Sequence, residues 1–112
     1  MPARYVPDRG DIIWLTFDPQ AGHEQAGRWP ALVLSPRAYN AKAGLALICP
    51  ITNRQKSYPF EVALPKQRVT GVVLADQLRS LDWSARRTEK AAHVDDETLQ
   101  EVLARIAALL QL

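Results

Sequence analysis

A short polar segment carries the side chains of this chain that are best suited to chemistry. Residues 22–28 combine His23, Glu24 and Arg28 with two glycines, and an apolar run at 31–34 follows closely. Loops held by rigid strands concentrate binding and catalysis, because the strands fix the geometry and the loop supplies functional groups. Other candidate side chains with hydroxyl, amide or basic groups follow later in the chain: Thr52, Asn53, Lys56, Gln77, Arg79 and Arg86.

The reaction that suits these groups is cleavage of RNA through its own 2′-hydroxyl. Because the chain has no His-Glu-x-x-His segment, no paired cysteines and no phosphate-binding glycine pattern, we expect neither a metal nor a cofactor. The RNA nucleophile is already adjacent to the phosphorus, so the protein needs only a base, an acid and donors for the charged transition state. Glu24 or His23, Arg28 and Thr52 are suited to these roles. Solvated loop charges explain the same residue types equally well.

Composition indicates one ordinary globular domain spanning residues 1–112. Hydrophobic residues make up 47% and charged residues 23% of the chain, and the net charge is only +2. The single cysteine, Cys49, stands in an apolar run, which predicts a buried reduced thiol in a cytoplasmic protein. No apolar stretch approaches the roughly 18 residues of a membrane span, so no membrane association is expected.

Short apolar and alternating runs predict six strands and two helices. The strands are expected near residues 11–17, 31–34, 45–51, 60–64, 71–75 and 80–83. A helix at 36–43 is predicted from Ser35 as its N-cap and Gly44 as its stop. A last helix is predicted to begin at three carboxylates, 95–97, and to carry an apolar stripe formed by Leu99, Val102, Leu103, Ile106, Leu109 and Leu110. The fold class is therefore mainly β with helices (α+β), a small, strongly curved antiparallel barrel.

Two polar connections are long enough to carry function, namely residues 18–29 and 53–59. Many short motifs stand in order along the chain: RYVPD (4–8), GD (10–11), FDP (17–19), GHEQAG (22–27), PALVLSP (30–36), YN (39–40), Pro50, Thr52, Lys56, YPFEV (58–62) and LADQ (74–77). Over nearly its whole length the chain thereby resembles the MazF/PemK family of toxin endoribonucleases.

The resemblance implies an SH3-like barrel with added helices, assembled as a homodimer. It implies sequence-specific, metal-independent cleavage of single-stranded mRNA, leaving 2′,3′-cyclic phosphate and 5′-hydroxyl ends. The expected partner is a MazE-like antitoxin whose disordered acidic tail blocks the RNA groove. Two alternatives stay open: a toxin of the same fold that poisons DNA gyrase by binding it, and an RNA-binding variant that no longer cleaves.

Carried over by position, Glu24 matches the loop glutamate of the family and Thr52 its active-site hydroxyl. The third catalytic residue, an arginine directly before Pro30, is Trp29 in this chain, and Arg28 stands one place earlier. Adjacent residues near a strand point to opposite faces, so Arg28 would aim away from the site. Three explanations stay open: Arg28 reaches the site through a flexible or bulged loop, activity is weakened or lost, or His23 or Arg86 takes over the role.

The remaining candidates are predicted to contact RNA. Lys56, Arg79 and Arg86 would hold phosphates, since basic side chains bind the backbone without reading sequence. Asn53 and Gln77 carry amides that can read base edges. Trp29 can stack on a base, as aromatic side chains do in single-strand binding, or pack against the barrel.

Overall fold

Antiparallel strands make up the largest share of the regular secondary structure in the computed structural model, which describes residues 4–17, 27–65 and 69–112. Within these ranges there are two α-helices, α1 (Arg37–Ala43) and α2 (Asp96–Leu110), and 3₁₀ turns at Ala75–Gln77 and Trp83–Ala85. The described strands are β1 (Asp11–Phe17), β2 (Gly27–Val33), β3 (Ala46–Thr52), β4 (Glu61–Ala63), β5 (Val72–Leu74), β6 (Arg79–Leu81) and β7 (Glu89–His93).

The strands form one sheet in the order β4-β5-β3-β2-β1-β7, and every pairing is antiparallel. One edge of β3 is shared, because its first half pairs with β6 and its last two residues pair with β5. This mixture of seven described strands and two helices confirms the expected fold class. The six predicted strands are present, whereas β7 was not predicted.

The central strands bury both of their faces. Alternation along β1 places Ile12 in a cluster beneath α2, and Ile13 and Leu15 in a second cluster on the other face. Full burial of such a side chain contributes about 1.5–3 kcal/mol to stability. A shift of β1 by one residue would move each of these side chains to the wrong face, so their burial fixes the register of the sheet. Cys49 lies in the first cluster as a free, buried thiol, and burial raises its pKa to about 12. The expected buried cysteine is thus confirmed.

Helix α1 begins one residue later than predicted. Pro36 is its N-cap in extended conformation, and the prediction of Ser35 as the cap is wrong. The Ser35 hydroxyl instead donates to Asn40 Oδ1 at 2.5 Å and accepts from the Leu47 backbone N–H at 2.9 Å. These bonds satisfy polar groups that lie buried between α1 and β3. The helix ends as predicted at Gly44, whose φ of 70° is in the left-handed region.

Helix α2 has Asp95 as its N-cap, and the Asp95 carboxylate accepts hydrogen bonds from the backbone N–H and the hydroxyl of Thr98. The predicted stripe packs onto the sheet through Leu99, Val102 and Ile106. It ends earlier than predicted, because the side chains of Leu109 and Leu110 are exposed. Neither helix of the described residues is long and apolar enough to cross a membrane.

Candidate nucleic-acid interface

A groove of about 440 Å³, termed the main groove, opens beside the end of β3. It combines three basic side chains with two aromatic ones and two carboxylates. Basic and aromatic side chains together suit a single-stranded nucleic acid, whose phosphates are negatively charged and whose bases can stack. Five of the residues predicted from sequence meet here: Trp29, Thr52, Lys56, Gln77 and Arg79. The remaining lining residues are Pro50, Ile51, Arg54, Tyr58, Glu61, Leu74 and Asp76.

The register between β2 and β3 explains why position 29 belongs to this groove. The ladder pairs Val33 with Ile48 and ends at the pair Ala31 and Pro50. Two residues further along each strand stand Trp29 and Thr52, and a step of two keeps a side chain on the same face. Both residues line the main groove. The residue at position 29 therefore faces the main groove together with Thr52, from the neighbouring strand.

Thr52 is held firmly at the end of β3. Its Oγ1 accepts a hydrogen bond from the Arg54 backbone N–H at 3.1 Å, and its backbone pairs with Val72. Gly71 lies directly against it, with φ of 122°, and a Cβ there would lie 2.5 Å from the Thr52 carbonyl oxygen. Only glycine allows this approach. Gly71 was not among the predicted site residues, although a lone glycine before an apolar strand signals a close backbone approach.

The loop from 53 to 60 presents two of the three basic side chains of the groove, Arg54 and Lys56, and one of its two aromatic side chains, Tyr58. The Lys56 backbone N–H donates to both carboxylate oxygens of Glu61, at 3.1 and 3.0 Å. The Lys56 ammonium lies 5.9 Å from the centre of the Tyr58 ring, within the range of a cation–π contact. Asn53 stands at the start of this loop, where its Oδ1 accepts from the Thr70 hydroxyl at 3.3 Å.

Arg28 lies on the opposite face of β2 from Trp29, as the alternation predicts. Its guanidinium donates to Thr16 Oγ1 at 3.0 Å and to Glu89 Oε1 at 2.7 Å. It lines a smaller pocket of about 320 Å³, termed the side pocket, which also contains Trp29, Thr52 and Asn53. Arg28 thus approaches Thr52 only through the side pocket, with a guanidinium that is already bonded. The prediction of a loop reaching to position 29 is wrong, since β2 already begins at Gly27.

Arg86 is not brought into either pocket. Its guanidinium donates to the Thr16 carbonyl at 3.1 Å, and its own carbonyl accepts from the Thr16 backbone N–H at 2.9 Å. These bonds attach the turn after Trp83–Ala85 to β1. The sequence prediction of Arg86 as an RNA contact gains no support from this position, because Arg86 lines neither the main groove nor the side pocket.

Glu24 and His23 lie outside the described residues, in the segment 18–26. The two ends of that segment are described, since Phe17 and Gly27 pair across β1 and β2. Gly27 precedes by two residues Trp29, which lines both the main groove and the side pocket. Among the described residues, no group of His, Cys, Asp and Glu side chains is arranged to hold a metal ion.

A buried carboxylate stabilises the sheet away from the groove. Asp11 is 2% exposed and accepts hydrogen bonds from the Tyr5 hydroxyl at 2.5 Å and the Asp8 backbone N–H at 3.0 Å. His93 Nδ1 lies 3.0 Å from the same carboxylate. Burial raises the pKa of Asp11, but the hydrogen bonds from Tyr5, His93 and Asp8 together hold it below its ordinary value. His93 thus joins β7 to β1.

The curved antiparallel sheet with its basic and aromatic groove defines a small β-rich binding protein. The sequence model for the "PemK-like, MazF-like toxin of type II toxin-antitoxin system" matches residues 8–110. This chain belongs to that family.

Individual relatives are similar in sequence to this chain over nearly its full length. The chain is 52% identical over 110 residues to the "Endoribonuclease toxin MazF" of Escherichia coli K12, covering 98% of this chain and 99% of that protein. It is 42% identical over 111 residues to "Endoribonuclease toxin ChpB" of the same organism, covering 93% and 94%. Among solved structures, a MazE–MazF complex from Deinococcus radiodurans matches with a TM-score of 0.91 and 56% identity, covering 97% of this chain and 99% of that one.

Proposed function

We propose that this chain is a sequence-specific endoribonuclease toxin that acts on single-stranded mRNA. The observation that carries the proposal is 52% identity across 98% of the chain to a protein named an endoribonuclease toxin. The main groove supports it physically, because Thr52 lies among Arg54, Lys56 and Arg79, whose charges suit a phosphate backbone. Tyr58 and Trp29 add aromatic faces on which unpaired bases can stack.

The proposed reaction needs no group beyond the protein and the RNA. The 2′-oxygen attacks the adjacent phosphorus and forms the cyclic phosphate, while the bond from phosphorus to the 5′-oxygen breaks. Glu24 and an arginine are proposed to share the proton transfers: one accepts the proton of the 2′-hydroxyl and the other donates a proton to the leaving 5′-oxygen. The Thr52 hydroxyl is proposed to donate to a phosphate oxygen as negative charge develops on it.

Trp29 is proposed to make this cleavage slow while RNA binding is retained. An indole neither transfers protons at neutral pH nor carries positive charge, so Trp29 cannot replace the arginine that the family resemblance leads one to expect beside Thr52. Arg28 does not offer a simple substitute, because its guanidinium is bonded to Thr16 and Glu89 on the other face of β2. An RNA-binding variant with little cleavage is thus the second candidate function, and Trp29 is the observation that favours it.

The chain is proposed to act in the cytoplasm as a homodimer that an antitoxin restrains. The support for the antitoxin comes from the relatives, since three of the solved structures that match this fold are described as MazE–MazF complexes from Deinococcus radiodurans. A MazE-like partner with an acidic tail would find complementary charge at Arg54, Lys56 and Arg79.

The proposal is tested by incubating purified protein with a mixed-sequence single-stranded RNA in EDTA. The native chain, Trp29→Arg, and the double variant Trp29→Arg/Thr52→Ala are compared, with product ends analysed for cyclic phosphate. We expect slow cleavage by the native chain, faster cleavage by Trp29→Arg, and loss of that gain when Thr52 is removed. Absence of cleavage by both the native chain and a folded Trp29→Arg variant would overturn the endoribonuclease assignment.

A further inference from the structure

Helix α2 supports the main groove from behind. It packs against the turn Ala75–Gln77, which carries the groove residues Asp76 and Gln77, and against β4, which carries Glu61. One basic side chain of α2, Arg105, extends beyond this apolar packing. Its guanidinium Nη1 donates to the carbonyl oxygen of Pro59, and its Nη2 lies 2.9 Å from Glu101 Oε1. The helix is therefore bonded directly to the loop that forms one wall of the groove.

Pro59 lies in the same loop as Lys56 and Tyr58, which line the groove. It directly follows Tyr58 and begins the turn at residues 59–60, and Ser57 just before has a φ of 60° in the left-handed region. From the groove side, Glu61 holds the loop by accepting from the Lys56 backbone N–H. From the helix side, Arg105 holds the Pro59 carbonyl. The segment that presents Lys56 and Tyr58 is thus held at two points, one of which lies outside the groove.

The two simultaneous hydrogen bonds of Arg105 require the planar guanidinium group. Its Nε is buried and has no hydrogen-bond partner among the described residues, which is unfavourable for a donor. The two Nη atoms offset this by bonding Pro59 and Glu101 at the same time. A planar fork with fixed donor directions can make both bonds, whereas a lysine ammonium is a single point charge without that geometry.

We infer that Arg105 is a positioning residue for RNA binding. It does not line the main groove, but its bond to Pro59 fixes the wall from which Lys56 and Tyr58 meet the RNA. The inference rests on the proposed function, since it assigns to α2 control over the RNA affinity of that same groove. It predicts that Arg105 acts on RNA affinity through Lys56 and Tyr58, although Arg105 itself touches no RNA.

The test is a titration of a fluorescein-labelled, mixed-sequence single-stranded RNA with the full chain. Arg105→Met is compared with Glu101→Gln, which breaks the ion pair on the same helix but leaves the bond to Pro59. We expect Arg105→Met to raise Kd about fivefold, within the range of coupled neighbours, and Glu101→Gln to change it by less than about twofold. Lys56→Gln, which removes one phosphate contact, is expected to raise Kd by roughly three- to tenfold.

The double variant Lys56→Gln/Arg105→Met decides the mechanism. Because Arg105 acts through the loop, its substitution should weaken binding less in the Lys56→Gln background than in the native chain. Independent effects that simply multiply, or equal Kd values for Arg105→Met and Glu101→Gln, would overturn the inference. Should Lys56→Gln bind RNA as the native chain does, the proposed groove itself is wrong, and the inference fails with it. If Arg105→Met does not fold, Arg105→Lys replaces it with the same expectations, because it keeps the charge and loses the fork.

Discussion

Trp29 and Thr52 line the same groove from neighbouring strands, and the β2–β3 register places both side chains on the same face of the sheet. The residue at position 29 therefore decides which chemical group faces the groove together with the Thr52 hydroxyl. In this chain the group is an apolar indole, while the nearest arginine in sequence is bonded on the other face. Because residues 28 and 29 lie in a strand, their side chains point to opposite faces of the sheet, which holds Arg28 away from the groove more firmly than a flexible loop would.

The first prediction is that Trp29 contributes to RNA affinity by stacking. Stacking on an aromatic side chain is worth about 1–3 kcal/mol per base, so Trp29→Ala should weaken single-stranded RNA binding by about tenfold. Trp29→Phe keeps an aromatic face and should stay within about threefold of the native chain. Fluorescence anisotropy of labelled RNA measures both. Equal weakening by the alanine and phenylalanine variants would show that Trp29 packs in the barrel and does not stack.

The second prediction concerns the ion pair between Arg28 and Glu89. The Glu89 side chain is 70% exposed, and an exposed pair contributes about 0–1 kcal/mol, so Glu89→Gln should lower the free energy of unfolding by less than about 1 kcal/mol. It should also leave RNA cleavage unchanged, because strand alternation and the bond to Thr16 still hold Arg28 away from the Thr52 face. Denaturant unfolding and the cleavage assay measure the two effects. Cleavage by Glu89→Gln as fast as by Trp29→Arg would mean that a released Arg28 serves the site.

Much of the fold could be predicted from periodicity. Alternation at 11–17 and the apolar run at 45–51 gave β1 and β3, and the stripe beginning at Leu99 gave α2. Strand β7 escaped prediction because Glu89–His93 has no β-branched or large aromatic residue, and its strand conformation depends on pairing with β1. The start of β2 was placed too late for a related reason, since glycine and charge at 27–28 read locally as a loop.

The candidate site could be predicted only as a set of residues. Side-chain chemistry selected Thr52, Lys56 and Gln77, the family resemblance assigned Thr52 to the active site, and the structure brings all three to one groove. What sequence could not supply is the geometry, because the neighbours of Thr52 follow from the β2–β3 register and from the approach of Gly71. The contact of Arg105 with Pro59 joins positions 46 residues apart, which no local pattern indicates. The catalytic role of Glu24 stays a prediction.

The third prediction tests the close approach of Gly71 to Thr52. Gly71→Ala combines a strained φ of 122° with a Cβ 2.5 Å from the Thr52 carbonyl oxygen, so the backbone at Thr52 must shift. We expect a loss of more than about 1 kcal/mol of unfolding free energy together with weaker RNA binding. Gly27→Ala is the matched control, because its φ of 113° is equally strained but a Cβ there has nothing within 4 Å. If both variants lose the same stability and keep RNA affinity, the contact with Thr52 is unimportant for the site.

The fourth prediction is a pH dependence of stability that originates at Asp11. The Asp11 pKa is held below its ordinary value of 3.8 in the folded chain, so the folded state binds the proton more weakly than the unfolded state. The stabilisation by its carboxylate is therefore fully present above about pH 4 and is lost as the pH falls through the folded pKa. Hydrogen bonds to a buried charged group contribute about 1.5–3 kcal/mol, and Asp11→Asn should lower the unfolding free energy near pH 7 by about this amount.

Denaturant unfolding of the native chain and Asp11→Asn between pH 3 and 7 measures this difference. The two chains should become more similar below about pH 4, because protonation of Asp11 removes the charge that the asparagine variant already lacks. Tyr5→Phe serves as a control that removes the 2.5 Å hydroxyl bond but retains the carboxylate. It should lose less stability than Asp11→Asn at pH 7, since the bonds from Asp8 and His93 remain. A difference between native chain and Asp11→Asn that stays constant down to pH 3 would assign the effect to packing and not to the carboxylate charge.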